Sequence, residues 1–311
     1  MTSILFLGSN WEALSTLKVL NEDNRFKIVG LITQPDKPIG RERITQVSDI
    51  KKYATEKKIP VFHTEKDKLR YREAITLFKP DLIVCKSFGE IIPEFVLEAP
   101  KYGSINVHYS LLPRHRGAVP IQKAILDGDE ITGITYVKMV KKLDAGEILT
   151  QIEEKIEPDD TNESLRRRLV DITAKTIGDV LERWIKGEII PKPQDESKAT
   201  YCQQSDISKE NAFIDLAKMD PTKIDRMVRA FIPWPIAWTY YKEKRLKLFD
   251  IALIERSYGL QPGVYGFDGN SLFVGTTSDE IPTIELKNIQ LEGKVVMSGK
   301  QFALGQQIEK V

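Results

Sequence analysis

The sequence predicts an α/β protein, with a Rossmann-like, doubly wound, mostly parallel sheet, followed by a smaller β-rich C-terminal domain of OB-like barrel type. Three observations carry this. Short apolar runs alternate with stretches of helical periodicity through the first half, as parallel strands joined by helices require. A polar, proline-rich tract, Ile190-Pro191-Lys-Pro193-Gln-Asp-Glu-Ser197, then interrupts the pattern. Beyond it, short β-rich runs are separated by glycine and charged turns. At 311 residues the chain is also long for one core, which favours two domains.

The elements follow in order. Ile4–Leu7 is an apolar strand ended by Gly8, and Trp11–Asn21 is a helix with Leu14, Leu17, Val19 and Leu20 at helical spacing. Lys27–Thr33 is the second strand, Val47–Lys58 a helix, and Val61-Phe62 a short strand. A helix over Lys68–Phe78 precedes the strand Asp81–Cys85, and Ser104–Val107 is the next strand. Glu163–Lys186 is the clearest helix, capped by Thr161-Asn162, with Leu165, Leu169, Ile172, Ile177, Val180, Leu181 and Trp184 as its apolar stripe. Arg166-Arg167-Arg168 falls on its solvated face. In the last third, Pro221–Ala230 reads as a helix. The runs Ala237–Tyr241, Leu246–Ile254, Gly263–Gly266, Ser271–Val274 and Ile281–Leu286 read as strands. The domains are therefore expected at 1–189 and 207–311, with 190–206 as linker.

Composition narrows the function. Forty-six basic side chains against 45 acidic ones give a net charge of +1, so no strong non-specific attraction to nucleic acid is expected. Two cysteines, Cys85 and Cys202, lie far apart without a CxxC or His/Cys cluster, which predicts no metal site and a reducing compartment. The N-terminal apolar stretch is short and runs into a polar turn, so it reads as a buried strand and not a signal peptide. Cytoplasmic location and no membrane association are expected. Gly8-Ser-Asn lacks the spacing of a dinucleotide-binding turn, so the fold implies no NAD.

The chemistry concentrates in Asn106-Val-His108-Tyr-Ser110-Leu111-Leu112-Pro113-Arg-His-Arg116-Gly117, with Leu143-Asp144-Ala-Gly146 downstream. Asn106 and His108 are two apart and share a face on an extended strand. Proline and glycine stop that strand, and polar groups at a strand's carboxyl end are where open α/β sheets keep their chemistry. An acyl-transfer site needs a proton shuttle, an oxyanion donor and an orienting carboxylate. Each of the three residues taken singly also has an ordinary structural role, as a cap, a turn residue or a hydrogen-bonded histidine.

Asn106-Val-His108, Ser110-Leu-Leu-Pro113, Arg116-Gly117, Pro120-Ile121 and Leu143-Asp144-Ala-Gly146 together resemble the signature of the 10-formyltetrahydrofolate-dependent formyltransferases. Other motifs resemble the methionyl-tRNA formyltransferase family from end to end. They are Thr33-Gln-Pro-Asp-Lys-Pro38 with Gly40-Arg41, Ser87-Phe88-Gly89-Glu90-Ile91-Ile92-Pro93, Ala199-Thr-Tyr201 with Ser208-Lys-Glu210, Arg229-Ala-Phe-Ile-Pro233-Trp-Pro235 with Ala237-Trp-Thr239, and Gly293-Lys294 with Met297-Ser298. The chain departs from that pattern at Ile232 and Ile236, where the family usually has Asn and Gly. It departs again at Glu42-Arg43-Ile44, where the family tends towards Gly-Lys-Lys.

The resemblance implies formyl transfer from 10-formyltetrahydrofolate, a co-substrate, to the amine of initiator methionyl-tRNA, without a metal and by a monomer. It implies Asn106 as oxyanion donor, a cationic His108 sharing that donation and moving the proton, and Asp144 orienting His108. Phe88, Gly89, Glu90, Ile91 and Ile92 would bind the pterin, chiefly through backbone groups, together with Ser110, Leu111, Leu112 and Pro113. Arg41 would meet the acceptor end of the tRNA, and Lys242, Lys244, Arg245 and Lys247 its phosphates. The stretch from Thr200 to Val311 carries 14 basic and 14 acidic residues, so this RNA-binding half is neutral. Three alternatives remain: an amino-sugar N-formyltransferase with the same donor, a hydrolase of 10-formyltetrahydrofolate, and a non-catalytic RNA-binding protein.

Overall fold

The computed structural model describes residues 1–36, 38–39, 44–45 and 47–311. Arg41, expected at the acceptor end of the tRNA, lies outside the described residues. The chain forms two compact units. One comprises Met1–Gly117, Gly133–Glu154 and Arg167–Tyr201, and the other Ala118–Thr132, Lys155–Arg166 and Cys202–Val311.

β1 (Thr2–Gly8) leads through α1 (Trp11–Glu22) to β2 (Phe26–Ile32) and the short pair β3 (Pro38–Ile39) and β4 (Ile44–Thr45). Then come α2 (Asp49–Glu56), β5 (Val61–Phe62), α3 (Lys68–Phe78), β6 (Leu82–Lys86), α4 (Glu94–Leu97) and β7 (Ser104–His108). β8 (Arg116–Gly117) and α5 (Pro120–Asp127) precede the strands β9 (Ile131–Lys138) and β10 (Ile148–Lys155), and α6 covers Asn162–Ile185. After β11 (Tyr201–Cys202) and α7 (Pro221–Ala230) follow β12 (Trp238–Tyr241), β13 (Lys244–Ile254), β14 (Tyr265–Phe267), β15 (Leu272–Gly275), β16 (Thr283–Leu291), β17 (Met297–Ser298) and α8 (Gly299–Gln306).

The first unit is built on a seven-stranded sheet of order β10-β9-β7-β6-β1-β2-β5. Strand β1 is central, and Ile4, Leu5, Phe6 and Leu7 are fully buried, which is why the run is apolar without alternation. It pairs in parallel with β2 and β6, and β6 with β7. Helix α1 starts where Asn10 accepts a hydrogen bond from the Ala13 N–H, and it buries Ala13, Leu17 and Leu20. A Cβ on Gly8 would meet Ala13 and the Lys86 carbonyl, so glycine lets the turn before α1 pass close to the end of β6.

Beyond β7 the sheet turns antiparallel, with His108 opposite Thr135 and Asn106 opposite Val137 on β9. The sequence did not announce β9 or β10. Gly133 interrupts β9's apolar run, and a Cβ there would clash with the Ile152 carbonyl. Alternate residues of β10, Gln151, Glu153 and Lys155, are exposed and polar. The short helices α5 and α8 also escaped the periodicity, each being eight residues long.

The second unit holds an antiparallel sheet of order β12-β13-β16-β15-β14, with β17 on β16. Helix α7 packs on β13 and α5. Its cap is Asp220, accepting from the Lys223 N–H, with Pro221 in the first turn and Ile224, Met227 and Val228 buried. Ile236, where a glycine was expected, adopts φ 69°, the left-handed region that β-branched residues avoid. Among the described residues no helix is long and apolar enough to cross a membrane, and no group of His, Cys, Asp and Glu could hold a metal.

Candidate active site

Strand β7 ends on the face-sharing pair Asn106 and His108, and the loop after β9 brings Asp144 to both. Asn106 Nδ2 donates to Asp144 Oδ1 at 3.2 Å, and the Gly117 N–H donates to Oδ2 at 2.9 Å. His108 Nδ1 lies 3.6 Å from the same Oδ2, with the His108 and Asp144 side chains only 5% and 8% exposed. On its other side, His108 Nε2 donates to the His115 carbonyl at 2.8 Å. That bond fixes the tautomer of the neutral ring: hydrogen on Nε2, lone pair on Nδ1 towards the carboxylate.

Burial pulls the His108 imidazole below its ordinary pKa, against the opposing pull of Asp144 and the His115 carbonyl. The resting ring is therefore neutral. Of the two ring forms, the cation expected to donate is thus the one that burial disfavours and that Asp144 favours.

Asp144 sits at φ 50°. Its loop is pinned by Gln194, whose Nε2 donates to the carbonyls of Asp144 (2.8 Å) and Gly146 (2.7 Å). A Cβ on Gly146 would collide with the Lys138 carbonyl. The Gln194 carbonyl in turn accepts from Arg116, which is fully buried and grips the Glu196 carboxylate with both terminal nitrogens. That contact, with Lys142 adding to it, draws the Glu196 carboxyl down to about 2. Thr200 accepts from the His115 N–H and donates its own N–H to the Pro113 carbonyl. The stretch read as linker thus folds back over the site loops, through Gln194, Glu196 and Thr200. A polar tract gives no sign of such contacts at the sequence level.

The remaining expected residues divide. Phe88 and Ile92 point into the core with Leu5, Leu7, Ile83 and Val96, whereas Ile91 is 93% exposed. The Glu90 carboxylate is occupied by Thr64 Oγ1 (2.8 Å), the Lys66 N–H (3.0 Å) and Tyr71 OH (3.0 Å), and its N–H by the Phe88 carbonyl. The side chains of Phe88, Glu90 and Ile92 are therefore engaged within the protein itself. Ser110 and Leu112 are buried, and Thr135 bonds both: its hydroxyl donates to the Ser110 carbonyl and accepts the Leu112 N–H. Gln151 donates to the Leu112 carbonyl, which leaves Leu111 and Pro113 half-buried at the surface of the turn.

In the second unit, Lys242 occupies the β12–β13 turn at φ 50°. Strand alternation separates Lys244 from Arg245 and Lys247. Arg245 lies 4.1 Å from the Trp238 ring centre, and Arg245 and Lys247 line a cavity of about 240 Å³ with Gln290, Leu291, Glu292 and Gly293.

Comparison with known proteins places both units. Residues 2–181 match the formyl transferase family model, and residues 206–307 match the formyl transferase C-terminal domain. The chain is 36% identical over 311 residues to the methionyl-tRNA formyltransferase of Bacillus subtilis, covering 99% of this chain and 96% of that one. It is also 36% identical to the enzyme of the same name from Staphylococcus epidermidis, over 99% and 97%. Among solved structures, an N-formyltransferase from Helicobacter canadensis, crystallised with folinic acid and dTDP-3-aminofucose, shares the fold. Its TM-score is 0.69 at 20% identity, over 92% of this chain and 99% of that one. HypX from Aquifex aeolicus, in complex with tetrahydrofolic acid, aligns over all of this chain and 48% of its own, with a TM-score of 0.64 at 18% identity.

Proposed function

The chain belongs to the methionyl-tRNA formyltransferase family, and from that premise we propose that it moves a formyl group from 10-formyltetrahydrofolate to the α-amine of initiator methionyl-tRNA. The observation that carries the reaction is the convergence of Asn106, His108 and the Gly117 N–H on Asp144. The acceptor is inferred from full-length relatives named for it, and the donor from the folates named with structures of the same fold.

Transfer joins the amine nitrogen to the formyl carbon and breaks that carbon's bond to folate N10. One proton leaves the amine and one arrives at N10. Neutral His108 presents the Nδ1 lone pair that takes the first and returns it as the second. Asp144 Oδ2, already 3.6 Å away, stabilises the imidazolium that exists between the two transfers. Asn106 keeps one amide N–H beyond its bond to Asp144 and directs it at the oxygen that becomes negative. A positioned acid/base gives ~10²–10⁴-fold, and one oxyanion donor ~10²–10³-fold. Main chain at 88–92, with Leu111 and Pro113, would read the pterin edge. Arg41, Lys242, Lys244, Arg245 and Lys247 would meet the tRNA. We assign 1–189 to catalysis and 207–311 to tRNA binding, in a monomer acting in the cytoplasm.

The test offers purified full-length protein 10-formyltetrahydrofolate with either charged initiator tRNA or a nucleotide-linked amino sugar. Formyl-methionyl-tRNA is the expected product. Formylation of the sugar alone would overturn the acceptor, and RNA binding without turnover would overturn the reaction.

A further inference from the structure

Lys86 ends β6, and the four strand residues before it are apolar. Its side chain is 4% exposed and pairs at 3.5 Å with Glu12 in the first turn of α1, itself 3% exposed. Lys86 Nζ donates to the Val107 carbonyl at 3.1 Å and lies 3.0 Å from the centre of the Tyr109 ring. Ser87 Oγ donates to the Glu12 carboxylate at 3.0 Å. Val107 is the residue between Asn106 and His108. Cys85 pairs with Asn106 in register, so strand alternation sets Lys86 on the opposite face of the sheet from the site.

A buried ion pair is costly: desolvation often exceeds its Coulomb gain, and an apolar pair of the same volume would commonly be as stable. The formyl-transfer reading gives this one no task. We propose that Lys86, held charged by Glu12, is a positioning residue for that reaction, tying the end of β7 down from behind and keeping a positive charge beneath His108 so that the ring stays a proton acceptor.

The inference rests on His108 being the proton carrier. Burial is the foremost cause of the depressed imidazole, and Lys86 acts in the same direction. Among the described residues, the titratable groups facing His108 are Asp144 after β9, His115 before β8 and Lys86 on β6. Those facing Lys86 include Glu12 on α1, Tyr109 after β7 and the buried Cys85 beside it on β6.

The chain has three histidines, so ring C–H signals in the full-length protein can be followed by NMR against pH, with His108 identified through H108N. In K86M the His108 midpoint should move up by about half a pH unit or more, a roughly threefold change in its protonation ratio, and in K86M/E12Q, which removes both charges of the pair, in the same direction by less. The acid limb of kcat/KM should move with it, and kcat should fall because β7 has lost its tie. In E12Q the lysine charge remains, so the midpoint should not rise. The double variant leaves no uncompensated buried carboxylate and keeps the test valid if K86M alone fails to fold. A His108 midpoint indifferent to K86M/E12Q in folded protein would overturn the role of Lys86, even if kcat fell. Retained formyl transfer in H108N would instead refute the proton-carrier reading itself.

Discussion

Replacing Asp144 with asparagine keeps the size of the side chain, removes one charge, and exchanges the oxygen that accepts from Asn106 for an amide donor. The amide oxygen still accepts the Gly117 N–H, at the 2.9 Å position the carboxylate occupies now. What is lost is the attraction between Oδ2 and a proton newly placed on His108 Nδ1, 3.6 Å away in a pocket nearly closed to water. At that separation and an effective dielectric constant of ~20, two unit charges attract by about 4–5 kcal/mol. Each ~1.4 kcal/mol is tenfold in rate, so D144N should lower kcat by roughly three decades with KM for both substrates little changed. The ring also becomes harder to protonate, so the acid limb of kcat/KM should move to lower pH. Steady-state formylation of methionyl-tRNA measures both. A variant within about tenfold of the parent, with its acid limb unmoved, would refute a charge role for Asp144.

Three further outcomes follow from the same geometry. If His108 carries the proton as proposed, it must be neutral to act, and its midpoint is depressed. Activity should therefore persist below ~6.5, the ordinary histidine value, and fall only as pH drops through the lower midpoint; an acid limb at or above 6.5 would contradict this. Replacing Gln194 with alanine removes both tethers of the Asp144 loop. A loss of about 2–3 kcal/mol in denaturant melts and at least a tenfold lower kcat are expected, and unchanged values would show that the loop holds itself. If Arg245 and Lys247 touch phosphates, R245A/K247A should raise KM for tRNA without altering kcat. It should also flatten the dependence of log affinity on log salt by about one to two, at ~0.7–0.9 per contact; an unaltered slope places the tRNA elsewhere.

The parallel core was legible because its strands are buried on both faces and so leave uninterrupted apolar runs, as at Ile4–Leu7. Strands β9 and β10 were not: Gly133 breaks the run of the buried β9, where the Ile152 carbonyl leaves no room for a Cβ, and β10, at the edge, alternates with exposed polar residues. The meeting of Asn106 and His108 follows from period-two geometry alone. Asp144 could be suspected only through the company it keeps in the sequence. Gln194, Arg116 and Lys86 were out of reach for a different reason. Their roles lie in contacts across 50, 80 and 21 residues, to Asp144, Glu196 and Val107, and a glutamine in a polar tract looks like any solvated one. Arg116 showed only as part of the Arg116-Gly117 motif, and Lys86 only as a charge closing an apolar strand.

The tether from residues 194–200 has a consequence in time. Asn106 and Gly117, which bond the Asp144 carboxylate, precede it in the chain, but the backbone of its loop is tied only when Gln194 arrives 50 residues later, and the neighbouring His115 turn only with Thr200, 85 residues after it. Contacts of such separation carry a loop-closure cost that must be met before they reward the chain. During synthesis, at ~5–20 residues per second, the nascent protein therefore spends seconds with its sheet formed and the loop of its carboxylate untethered. Competence for chemistry is the last thing the first unit acquires. A fragment ending before Gln194 should look folded by circular dichroism and still be inert.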